Sequence, residues 1–139
     1  KLNLKIVKDK SYIKKAYFKG IPIEGLGGLQ NQLFGLEVNF EKLNAIDFKK
    51  GCYVGQENTA RIKLKDKLSK RLLPIEIIEG KLSENEKIYN NDVEIGKILI
   101  CDDYPFGLIK YKDENFDKEK TFKSNNGSFK VIVPQWLKI

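Results

Sequence analysis

Residues 50 to 57 read Lys-Gly-Cys-Tyr-Val-Gly-Gln-Glu, a cysteine set between two glycines and followed by an amide and a carboxylate. The chemistry on offer is that of a thiolate. Lys49 and Lys50 precede Cys52 and a helix start follows at Gly55, surroundings that favour the ionised, nucleophilic form of the sulfur. Gly51 and Gly55 lack a Cβ, so the backbone can approach a ligand closely or take an unusual turn. A plainer reading stays open: free cysteine is among the most buried residue types, and Cys52 would then be a small packed hydrophobe. Tyr53 serves as a stacking surface or as a core aromatic. Lys50 meets an anionic ligand or is merely solvated. Gln56 and Glu57 point into a ligand pocket, or Glu57 pairs with Arg61 four residues on, an exposed helix pair worth about 0.3 to 0.5 kcal/mol.

The rest of the chain narrows the chemistry. Among 139 residues there is no histidine, which excludes Cys-His and Ser-His-Asp catalysis and every histidine-based metal site built from this chain alone. Two cysteines, Cys52 and Cys101, form neither a disulfide framework nor a paired zinc spacing, so no metal site is expected. A lone thiolate cannot hold an iron-sulfur cluster, which takes about four protein ligands. The net charge of +7 draws polyanions, nucleic acid or a polyglutamylated ligand among them. Hydrophobic residues at 41% suffice for a packed core, and no apolar run is long enough to span a bilayer. With no methionine and an opening on Lys1, the chain is read as a fragment or processed product.

Periodicity supplies the elements that must position the motif. Asp9 to Lys19 places Ile13, Ala16 and Tyr17 on one helical face, and Gly20 with Pro22 stops the helix. Glu24 to Gly35 is glycine-rich without the spacing of a phosphate cradle and reads as a surface loop. Val38 to Phe48 predicts a short helix or turn, and Gly55 to Ile62 a second helix with Glu57 in its first turn. From Leu68 onward the pattern changes to short apolar or alternating runs, several rich in β-branched residues: Arg71 to Ile78, Lys87 to Tyr89, Val93 to Ile100, Phe106 to Tyr111, Thr121 to Lys123 and Ser128 to Val133. Asn90-Asn91-Asp92 and Asn125-Asn126-Gly127 are hairpin turns by composition. Six short strands predict a small antiparallel β-barrel, closed by Pro134 and Trp136. The basic stretch from Arg61 to Arg71 marks the boundary. Its alternation with Ile62, Leu64 and Leu68 predicts one buried face and one wet lysine face, with no aromatic platform for bases. Cys101, ending an apolar strand, is expected to be packed and inert. Asn126-Gly127-Ser128 matches a glycosylation acceptor in form, but its turn role accounts for it.

The octapeptide, followed by Arg61 and by Lys70-Arg71-Leu72, resembles the signature of the folate-binding YgfZ family, relatives of the glycine-cleavage aminomethyltransferase. Gly20-Ile21-Pro22, Glu37 and Gly96-Lys97-Ile98 resemble further family positions, and the likeness runs from Tyr12 to Trp136. It implies an α+β fold: residues 1–66 as the remainder of a folate-binding α+β domain, and residues 67–139 as the small antiparallel β-barrel. It implies tetrahydrofolate or a derivative as cofactor, with Lys50, Gly51, Tyr53, Gly55, Gln56, Glu57 and Arg61 as motif or folate-binding residues and Cys52 as the functional thiol. One position departs. Relatives place a glutamate, a pterin ligand, where this chain has Phe18, which cannot accept a pterin hydrogen bond.

Three functions remain open. The first is a folate-dependent accessory factor for assembly or repair of iron-sulfur enzymes, tRNA-modifying enzymes included, acting through Cys52. The second is an aminomethyltransferase-like one-carbon enzyme, and the third a scaffold without chemistry. Expected partners are iron-sulfur client enzymes or assembly proteins and folate, with no direct tRNA binding and no membrane. The expected compartment is the bacterial cytoplasm, or the mitochondrial matrix if the source is eukaryotic.

Overall fold

The structure, a computed structural model, describes residues 11–51, 54, 56–64 and 68–138. Two helices, α1 (Ser11–Phe18) and α2 (Gln56–Leu64), and a 3-10 turn at Leu26–Leu29 precede six strands. The strands are β1 (Arg71–Gly80), β2 (Lys87–Asn90), β3 (Val93–Ile100), β4 (Phe106–Ile109), β5 (Thr121–Lys123) and β6 (Gly127–Val131). They close into an antiparallel barrel in the order β1-β4-β3-β2-β5-β6. The expected strands are all present, within a few residues at their ends.

β1 serves two neighbours in turn. Its first half, Arg71 to Pro74, pairs with β4, and its second half, from Ile75, pairs with β6. The exchange falls at Pro74, which has no N–H to give a ladder. There the Ile75 N–H donates to the Pro105 carbonyl and the Pro74 carbonyl accepts from Ile132 N–H. Beyond the exchange β1 carries a register shift between Ile77 and Glu79, and Ile77 and Ile78 are exposed. Alternation from the inward-facing Ile75 turns Ile78 outward, and the bulge that follows Ile77 ends the regular ladder there.

Alternation elsewhere sorts the strands into two cores. Leu73, Ile75, Ile88, Ile95, Ile98, Ile109, Phe122 and Phe129 fill the barrel interior. Leu72, Leu99, Ile100 and Phe106 form a second core with Tyr17 of α1 and Val38, against which Leu26, Leu29 and Leu33 pack. Each fully buried Leu or Ile contributes about 1.5 to 3 kcal/mol. The Glu24 to Gly35 segment is therefore more than the expected surface loop: its leucines cover the outer wall of the barrel. Val38 to Phe48 is a run of hydrogen-bonded turns with Asn39 and Asn44 at positive φ, which ends any helix there.

The start of β1 is fastened to this covering segment by polar groups. The Leu72 N–H donates to the Glu37 carbonyl at 2.8 Å, and the Leu72 carbonyl accepts from Asn39 Nδ2 at 2.7 Å. Asn39 is fully buried, and its Oδ1 accepts from Arg71 at 3.1 Å. Arg71 is 5% exposed and also reaches the Leu36 carbonyl, with the rings of Tyr111 and Trp136 5.3 and 5.9 Å from its guanidinium carbon. The chain end is tied back in the same way: Trp136 Nε1 donates to the Lys19 carbonyl at 2.8 Å. Gly20, at φ +73°, caps α1 beneath it, where a Cβ would lie 2.8 Å from Pro134 Cγ. Tyr17 donates its hydroxyl to the Ile75 carbonyl, and burial holds the phenol far above its ordinary titration range, with Glu76 adding to the shift.

Asn39 sits at φ +68°, so glycine and alanine there separate side chain from backbone. Asn39→Gly is expected to destabilise the chain by about 2 to 3 kcal/mol through the loss of partners for Leu72 and Arg71. Asn39→Ala should lose about 1 kcal/mol more from left-handed backbone strain. Urea unfolding followed by circular dichroism measures both; a loss below about 0.5 kcal/mol for the glycine variant would show that the network is dispensable.

Candidate functional site

The segment that carries the motif begins in a turn and ends in α2. The Lys49 N–H donates to Asp47 Oδ1 at 2.8 Å, an Asx turn that sets the direction of the chain into Lys50 and Gly51. Lys50 and Gly51 are exposed, and a Cβ built on Gly51 would meet nothing within 4 Å. Packing within the described residues does not require glycine there. Cys52, Tyr53 and Gly55 lie outside the described residues. Val54 is fully exposed, and Gln56 opens α2.

Glu57 falls in the first turn of α2, where a carboxylate complements the helix N-terminus. Its Oε1 accepts from Arg61 at 2.9 Å, with the two side chains 83% and 61% exposed. These two motif residues are thus brought together, as the i, i+4 spacing predicts, in a solvated pair of small energetic weight. Glu57, Ala60, Arg61 and Leu64 line one open cleft along a single face of the helix. Leu64 is 86% exposed. The alternation across Arg61 to Arg71 predicted a buried face containing Leu64; the helical period instead sets Leu64 with Glu57 and Arg61 on the solvent side. Lys65, Asp66 and Lys67 of that stretch lie outside the described residues.

Lys63 anchors α2. It forms an ion pair with Glu41 at 2.8 Å and lies 3.7 Å above the centre of the Phe48 ring. The sequence placed this residue only on a wet lysine face, because its partners come from a turn whose path no periodicity reveals.

The second thiol occupies a different environment. Cys101 follows β3, packs in part against the barrel core and lines an open cleft with Glu24, Asp102 and Asp103. Burial pushes its thiol up to about 11, with the negative charges of Glu84, Glu86 and Asp102 adding to the shift. A thiol so held is protonated and unreactive at neutral pH. This agrees with the inert role expected from its position. Among the described residues no group of His, Cys, Asp and Glu side chains could hold a metal ion. Nor, among those residues, is any helix long and apolar enough to cross a membrane.

Phe18, at the end of α1, is 47% exposed and meets the Tyr17 ring edge-on at 5.4 Å. It presents only carbon there and cannot accept a hydrogen bond. Glu37 is engaged locally, its Oε2 accepting from the Phe34 N–H.

Two measurements check this picture. In a Cys52→Ser variant, iodoacetamide should alkylate Cys101 negligibly at neutral pH, with a rate rising about tenfold per pH unit toward the thiol pKa of about 11. A plateau below pH 9 would contradict the acidic, half-buried environment. Lys63→Ala removes both anchors of α2 and should lower protection of its amides against hydrogen exchange by about tenfold, leaving the barrel amides unchanged.

No family model matches the chain. Curated relatives do. A protein of Neurospora crassa named iron-sulfur cluster assembly factor IBA57 homolog, mitochondrial, is 34% identical over 100 residues, covering 63% of this chain and 23% of that protein. Its namesake in Candida glabrata is 34% identical over 117 residues, covering 83% and 22%. The mouse protein named iron-sulfur cluster assembly factor IBA57, mitochondrial, is 43% identical over 72 residues, covering 51% and 20%. The chain thus spans less than a quarter of the length of these relatives, all of which are named as mitochondrial iron-sulfur cluster assembly factors.

Proposed function

We propose that the protein is an accessory factor in the assembly or repair of iron-sulfur enzymes and that Cys52 is its working thiol. The observation that carries this reading is the octapeptide Lys50 to Glu57 in a chain whose relatives bear the name iron-sulfur cluster assembly factor. The iron-sulfur cluster is cargo. One thiolate can furnish only a fraction of the ligands that a cluster takes, so Cys52 acts in company with thiolates of a recipient or donor protein. Lys49 and Lys50 favour the thiolate, and the raised pKa of Cys101 removes the other thiol from competition at neutral pH.

The finer parts of the reading are proposals of the resemblance. Tetrahydrofolate or a derivative is the expected ligand of the whole protein. Phe18 gives a pterin no acceptor, so no step is assigned to folate in this chain. The clients include tRNA-modifying enzymes, reached through their clusters and without direct binding of tRNA. The names of the relatives favour the mitochondrion as the compartment, and the matrix is the part of it that the resemblance implies.

The test is made in cells whose iron-sulfur enzymes depend on this protein. Cys52→Ser should abolish the recovery of cluster-dependent enzyme activity at an unchanged protein level, whereas Cys101→Ser should support full recovery. Full recovery with Cys52→Ser would sink the thiol role.

A further inference from the structure

The outer surface of the barrel changes character along a single row of paired residues. Leu72 pairs with Leu108, Leu108 with Lys97 and Lys97 with Lys87, so one outward row crosses β1, β4, β3 and β2. Its two leucines belong to the core beneath the amino-terminal segment; its two lysines are exposed. Like charges directly opposite on paired strands are destabilising. Here one such pair, Lys87 opposite Lys97, joins β2 to β3.

Further charges gather around the row. Lys87 Nζ pairs with Glu94 Oε2 at 2.7 Å, and Lys110 Nζ donates to the Glu94 backbone carbonyl at 3.0 Å. The hydrogen bond from Lys87, with the charges of Lys87, Lys110 and Lys70, holds the Glu94 carboxyl below its ordinary range. Lys110 also acts on Asp113, whose carboxylate is taken up by Asn115. Among the described residues Lys97 enters no ion pair. The face thus presents the paired Lys87 and Lys97, with the half-buried Lys110 and Lys70 acting on the Glu94 carboxylate beside Lys87, an excess of positive charge that contributes nothing to closing the barrel.

We propose that this lysine face, built on Lys87 and Lys97 with Lys70 and Lys110 at its edge, docks an acidic surface of a protein partner. Charge complementarity selects the sign of the partner. Bases of a single strand would need exposed rings to stack on, and Tyr89, the aromatic of β2, is half-buried, whereas an acidic protein surface needs only the lysines. The face is separate from the Cys52 segment and requires no thiol, so its failure and that of the assembly reading are distinguishable.

Fluorescence anisotropy of a labelled polyglutamate peptide, beside a labelled oligothymidylate strand, tests the proposal on the whole chain. Saturable peptide binding is expected at low salt, weakening as ionic strength shortens the screening length toward about 8 Å. Lys87→Gln combined with Lys97→Gln should weaken it by about tenfold. Glu94→Gln should tighten it by about threefold, a gain that misfolding cannot imitate. The exposed pair Lys118→Gln with Lys120→Gln should leave it unchanged. Absence of peptide binding, equal losses in the two lysine pairs, or no gain with Glu94→Gln would overturn the proposal. Tighter binding of the oligothymidylate with the same dependence on Lys87 and Lys97 would overturn it in favour of a nucleic-acid face.

Discussion

The buried guanidinium of Arg71 is the constraint on which the arrangement turns. By alternation with Leu72 its side chain leaves β1 on the inward side, at the mouth of the barrel, yet it reaches back to the Leu36 carbonyl and Asn39. Its charge is permanent, so burial must be offset by oxygen partners and ring faces. Those partners come from three distant stretches: the turn at residues 36–39, Tyr111 after β4, and Trp136 near the chain end. One hydrogen-bond donor, Nε, has no partner among the described residues, which makes the site intolerant of losing any other. A charge that needs all of these groups at once fixes the amino-terminal segment, the barrel mouth and the carboxy-terminal turn in one relation.

The same constraint explains why the barrel can begin where it does. The first half of β1 has β4 on one side only, because β6 pairs with the second half. An uncovered strand edge offers unpaired polar groups and invites association. Here the Glu37 carbonyl and the Asn39 side chain take up both polar groups of Leu72, so the turn at residues 36–39 stands in for a missing strand. Asparagine is suited to this twice over. It tolerates the left-handed backbone of that turn and carries an amide that satisfies a carbonyl and a guanidinium together.

What could be read from the sequence follows from the range of each interaction. The barrel was legible because its signals are local: β-branched runs such as Lys-Ile-Leu-Ile before Cys101, and the Asn90-Asn91-Asp92 turn, whose positive φ values at Asn91 and Asp92 are those of a tight hairpin. The Glu57–Arg61 pair was legible for the same reason. Nothing local announces that Leu26, Leu29 and Leu33 lie on a barrel wall, since glycine-rich spacing hides their common face. Asn39 and Arg71 stand 32 positions apart, and no periodicity links them. Leu64 misled because alternation was read through a segment that is helical. The Cys52 motif is read from residue types alone, and Cys52, Tyr53 and Gly55, whose geometry would test that reading, lie outside the described residues.

The helix that follows the motif has an unusual energetic position. α2 has nine residues, and isolated helices of that length are marginal in water because nucleation is not repaid by so few hydrogen bonds. Among its described side chains Thr59, Ala60 and Ile62 are half-buried and none is fully buried, so burial compensates little. Its described ion pairs and ring contacts are the exposed Glu57–Arg61 pair and the two contacts of Lys63, with Glu41 and with the Phe48 ring. Each is worth a fraction of a kcal/mol to about 1 kcal/mol, far below what holds the barrel. Among the described elements α2 is therefore held far more weakly than the barrel, and it marks the low-stability end of a structure whose other end is a closed sheet.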